Sequence, residues 1–192
     1  MKKTLLTVAL ATTLAAPSVL ANVYVQGDLG YSTTKTTGSI FKKNHFEPRL
    51  SVGYQLQDFR LALDYTYYRD IKDVYDDSGV QGNAKLKTQG LGFSAIYDIP
   101  VQSVVKPYVG VRLAINRLKV TDDWVDNGSI PVQDGYYSHT NTNLGYGVVA
   151  GITYPLVQNL KLNAGVEYNH LGKIDDVNVR NYGVKVGLRY DF

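Results

Sequence analysis

The chain has 192 residues, a formal charge of +3, no cysteine, 16 tyrosines and 18 glycines. Such a length fits a leader plus one domain, and the lack of cysteine excludes disulfides and a lipid-modified cysteine anchor. Without Lys2 and Lys3 the charge falls to about +1, which leaves no electrostatic footprint for nucleic acid.

At the amino-terminus Lys2 and Lys3 precede an apolar stretch, residues 5–16, broken only by threonines. Pro17 follows, and Val19 and Ala21 place small side chains at the positions a signal peptidase reads. Residues 1–21 therefore read as a signal peptide removed after Ala21, leaving 22–192 as one exported domain. The apolar part, about 12 residues, is too short for a hydrocarbon core that needs about 20.

The rest repeats with period two. In 46–56, Phe46, Pro48, Leu50, Val52, Tyr54 and Leu56 alternate with Glu47, Arg49, Ser51, Gly53 and Gln55. The same alternation runs through 23–33, 59–69, 87–99, 106–117, 143–154, 160–169 and 181–192. Each segment is a strand with one apolar face, and each is close to the 9–11 residues of a tilted membrane strand. Residues 57–58, 100–105 and 155–159 are short links; 34–45, 70–86 and 118–142 are long, and 171–179 is intermediate. The pattern predicts an all-β fold, an eight-stranded antiparallel transmembrane β-barrel with short periplasmic turns and long extracellular loops. A soluble lipocalin-like barrel would share the strand count, but it should turn its apolar residues inward and solvate the charged face.

Residues 168–174 (YNHLGKI), Val179-Arg180 and the closing 187–192 (GLRYDF) resemble the end of the opacity family of bacterial outer-membrane proteins, which includes neisserial opacity adhesins. The resemblance implies an eight-stranded outer-membrane barrel of a Gram-negative surface. It also implies the porin label and, as in the best-known members, loops that bind host cells. No loop motif matches, so adhesion is not transferred to particular residues. The final strand, ending Tyr190 and Phe192, resembles the signal read by the β-barrel assembly machinery.

If the apolar face meets lipid, the other face fills the lumen with Asp28, Glu47, Arg49, Arg60, Asp64, Arg112, Lys161, Glu167, Lys185, Arg189 and Asp191. Enclosed charges of both signs are expected to pair, and eight strands leave an interior only just wide enough for side chains. A passive channel for ions or small solutes is the alternative. For Arg112 the candidate partners are Glu47, Asp64 and Glu167.

Carrying the outward parity to the strand ends, with no bulge assumed, puts Lys35, Lys42, Arg69, Lys87, Arg117 and Arg180 at the outer rim. This collar faces lipopolysaccharide and outer-membrane lipid. In the longest loop, Trp124, Tyr136 and Tyr137 are candidates to touch a host-cell receptor or glycan; packing over the barrel rim is the other reading. The histidines lack a second ligand at metal spacing. The chain shows neither a His-x-Ser pair of the deacylase sort nor an Asp/His cluster of the protease sort, and neither cofactor nor catalysis is expected.

Overall fold

The computed structural model describes residues 22–36, 42–77, 80–126, 133–174 and 177–192. The expected signal peptide lies outside the described residues. The eight strands are β1 (Val23–Thr36), β2 (Lys42–Leu56), β3 (Phe59–Asp77), β4 (Val80–Asp98), β5 (Lys106–Asp126), β6 (Gln133–Val157), β7 (Leu160–Ile174) and β8 (Val177–Asp191). Each pairs antiparallel with its chain neighbour, and β8 returns to β1 to close the barrel. Closure satisfies every strand edge within the wall, the condition for crossing lipid with strands.

The alternation sorts the side chains. Leu29, Leu50, Leu63, Leu91, Ile115, Leu144, Val148 and Val184 are exposed on the outer wall, while the charged face is buried inside. Small inward residues make room for large ones across the ladder: a side chain at Gly92 would strike Asp64 and Arg112, and one at Gly53 would strike the Tyr24 ring. The turn between β2 and β3 is two residues, with Gln57 in the left-handed region at φ 50°, the backbone that tight hairpins demand.

The outer ends differ from the sequence expectation. Residues 70–86 and 118–142 are not free loops: β3 and β4 stay paired up to Asp77 and Val80, and β5 and β6 up to Asp126 and Gln133. Beyond the membrane both faces of a strand meet water. The apolar alternation then vanishes although backbone pairing continues.

The pairing also splits there. The β2–β3 ladder runs only from Arg49/Thr66 to Leu56/Phe59, and the β6–β7 ladder stops at Tyr146/His170. Above those levels β3, β4, β5 and β6 rise as one four-stranded sheet, taller than β7, β8, β1 and β2. Register shifts interrupt β3 between Tyr68 and Ile71, β7 between His170 and Gly172, and β6 between Pro155 and Val157. Gly172 takes φ +119°, which a bulge can ask of glycine at no steric cost. These bulges correct the uniform parity: beyond Arg69 and beyond Leu171 the facing register inverts.

Candidate functional site

The lumen is filled in three layers. In the middle, two arginines each clasp a carboxylate by both oxygens. Arg112 donates to Asp64 at 2.9 Å from Nε and 2.6 Å from Nη2. Arg49 donates to Glu167 at 2.8 Å from both Nη atoms and to Thr66 at 2.7 Å. Arg49 also lies 3.7 Å from Asp64, and Lys185 is 3.0 Å from Glu167. Thr66 and Asn169 donate further hydrogen bonds to Asp64 and Glu167. Such forked guanidinium–carboxylate pairs hold geometry as well as charge. Of the three partners considered for Arg112, the structure places Asp64 there.

The layer nearer the turns is held by cations on aromatic rings. Arg189 sits 3.9 Å over the Tyr24 ring and Arg60 sits 4.8 Å over Tyr108. Arg60 also donates to Asp98 at 2.7 Å, Arg189 to Gln55 at 2.8 Å, and Lys161 pairs with Asp191 at 2.9 Å. Asp28 accepts from Gln26 at 2.8 Å. On the outer side, Glu47 accepts from Ser32 at 2.7 Å and Asn181 at 3.1 Å, with His45 3.8 Å away.

Above this polar lattice lies a feature the sequence reading missed. Tyr68, Leu118, Leu171 and Val179 form a buried apolar cluster inside the barrel. Leu118, Leu171 and Val179 fell in stretches read as loop; the inward apolar positions become visible only once the β7 bulge and the longer β5 are known. Between the layers the central cavity is about 30 Å³, lined by Asp28, Arg49, Asp64, Arg112, Glu167 and Lys185 among others. That volume holds about two waters. Toward the turns the barrel opens into a vestibule of about 550 Å³ bounded by Gln55, Asp98, Lys106, Lys161 and Arg189.

Outside, Lys35, Lys87, Arg117 and Arg180 are exposed at the outer rim. Lys42 pairs in register with Lys35, and Arg69 falls within the β3 bulge. Trp124, Tyr136 and Tyr137 sit on strands, not in a loop. Trp124 lies opposite Gly135, where a side chain would strike its indole. Tyr136 and Tyr137 are exposed at 66% and 51%, with Tyr137 stacked on His139 at 6.3 Å. Tyr190 and Phe192 meet edge to face at 5.2 Å, and the Phe192 amide donates to the Val23 carbonyl at the seam.

Residues 52–192 match the family described as Opacity family porin protein. The chain is 40% identical to Protein opa of Haemophilus influenzae over 141 residues, covering 73% of this chain and all of that one. It is 26% identical over 236 residues to outer membrane protein P.IIC of Neisseria gonorrhoeae, covering 88% and 87%. Among solved structures, Neisserial surface protein A superposes with a TM-score of 0.65 at 37% identity, covering 88% of this chain and 97% of the other.

Proposed function

The chain belongs to the opacity family of outer-membrane porin-like barrels, and on that premise we propose that it acts at the cell surface as a contact-making barrel rather than as a conduit. The observation that carries this reading is the four-stranded sheet of β3–β6 standing above a packed lumen. It presents Val125, Tyr136 and Tyr137 to solvent, the residue types that anchor interfaces. The upper part of β3 carries no ladder pair to β2, and that of β6 none to β7, among the described residues. An unpaired edge can accept an incoming strand by main-chain hydrogen bonds. A host-cell receptor or surface glycan is the partner this surface suits.

A passive channel is the competing reading, favoured by the turn-side vestibule. Ions entering there would meet the Arg49–Glu167 and Arg112–Asp64 pairs and then the apolar cluster. In the proposed route to the membrane, residues 1–21 are cleaved after export and the assembly machinery reads the last strand through Tyr190 and Phe192.

Two measurements separate the readings. Refolded protein in planar bilayers is expected to give no steady unitary currents. Cells displaying it are expected to adhere to epithelial cells, with adhesion lost in Tyr136→Ser/Tyr137→Ser at unchanged surface level. Steady ion-selective steps together with unaltered adhesion of the variant would replace this proposal with the channel.

A further inference from the structure

The strand register sets like charges against each other on the lipid-facing side of the outer rim. Lys35 of β1 is the ladder partner of both Lys42 on β2 and Arg180 on β8, so the backbone register sets three basic residues in one row across adjacent strands. On the other side of the barrel Lys87 of β4 lies opposite Lys119 of β5, with Arg117 one outward position nearer the membrane. Like charges directly opposite in a ladder are destabilising, and the Cα atoms of such partners lie about 5 Å apart. Among the described residues no carboxylate forms an ion pair with Lys35, Arg117 or Arg180. Lys85 provides the contrast, since Asp70 already neutralises it at 2.9 Å.

The level of these cations narrows what anion could relieve them. Below the first group lie Tyr31 and Phe46, with ring centroids 5.1 Å apart, and Lys35 reaches over the Tyr182 ring at 5.3 Å. Tyr67, Tyr146 and Tyr168 continue that aromatic row around the wall. Aromatic belts mark the membrane–water boundary, which sets Lys35, Lys87, Arg117 and Arg180, all exposed, at headgroup height. At the opposite rim the lipid-facing residues are Leu56, Phe59, Val105 and Tyr154, all exposed and none charged. A soluble polyanion would approach from above; an anion beside the barrel at this height belongs to the membrane.

We propose that the outer rim carries two seats for the phosphate groups of lipopolysaccharide, one at Arg180 and Lys35 and the other at Lys87, Arg117 and Lys119. Each phosphate bridges cations that repel one another in its absence, through charge-assisted hydrogen bonds. The paired seats fix the height of the barrel in the outer leaflet. This inference stands apart from the contact surface above, because it requires only the rim and the membrane.

The test follows thermal unfolding of the refolded protein in neutral detergent while bisphosphorylated lipid A is added. Dephosphorylated lipid A, inorganic phosphate and heparin serve as separate arms. The wild type is expected to unfold at a higher temperature with the bisphosphorylated lipid alone. Lys35→Gln/Arg180→Gln and Lys87→Gln/Arg117→Gln should each lose part of that shift, and the fourfold variant all of it. Lys35→Arg/Arg180→Lys should retain it. Without lipid the glutamine variants should unfold at the wild-type temperature or above, because repulsion has been removed. Equal stabilisation by dephosphorylated lipid A would overturn the proposal without recourse to any variant. So would an undiminished shift in the fourfold variant. A shift with inorganic phosphate would point to a free-ion site, and one with heparin to a sulfated glycan; either would also overturn it.

Discussion

Replacing Arg112 by alanine tests whether the lumen is a lattice or a loose set of hydrated charges. The guanidinium is 4% exposed and supplies both short contacts to Asp64. Its loss leaves Asp64, also 4% exposed, with Thr66 at 2.9 Å and the more distant Arg49 at 3.7 Å. Breaking a buried pair from one side costs about 3–5 kcal/mol because the remaining charge is stranded. Arg49 and Thr66 persist, so the expected cost is about 3 kcal/mol, the lower end of that range. With a urea slope of about 1–3 kcal/mol/M, the unfolding midpoint in lipid vesicles should fall by about 1–3 M. Asp64→Asn alone should also destabilise, because it leaves two guanidiniums facing one carboxylate, Glu167. The double variant Arg112→Ala/Asp64→Asn should lose clearly less than the two single losses together, since neither charge is then stranded. An unchanged midpoint for Arg112→Ala, or strictly additive losses in the cycle, would refute the lattice.

Two further perturbations probe the layers around it. Leu118→Ala removes part of the apolar cluster with Tyr68, Leu171 and Val179 and should cost about 2–5 kcal/mol. Unitary currents should stay absent in bilayers because the arginine–carboxylate layer beneath remains; full-sized conductance in this variant would show that the cluster alone closes the lumen. At the β3 bulge Asp70 pairs with Lys85 at 2.9 Å and accepts from the Tyr67 hydroxyl at 2.9 Å. Burial alone would raise the Asp70 carboxyl, but Lys85 and Tyr67 outweigh it and hold it below the usual carboxylate range. A depressed carboxylate contributes stability at neutral pH that is lost as the pH falls through its folded value. Amide protection around 68–71, corrected for intrinsic exchange, should therefore drop in acid for the wild type and be low and flat with pH in Asp70→Asn.

Eight strands and the face each presents were legible in the residues, because a wall between lipid and a packed polar lumen meets a different medium on each side. Period two is the imprint of that difference, and Leu50 outside against Arg49 inside needs no tertiary knowledge to assign. Where the two media become the same, the imprint disappears. Trp124, Tyr136 and Tyr137 were read as loop residues for this reason, although backbone pairing carries β5 and β6 past them. The bulges at Tyr68/Ile71 and His170/Gly172 were equally hidden, since an inserted residue inverts the parity without changing the composition. Which carboxylate answers Arg112 and which cation stands beside Lys35 depend on how far each strand slides against the next. That stagger comes from closing the whole barrel, and only the closed structure sets Asp64 against Arg112 and brings Arg180 and Lys42 to the two sides of Lys35.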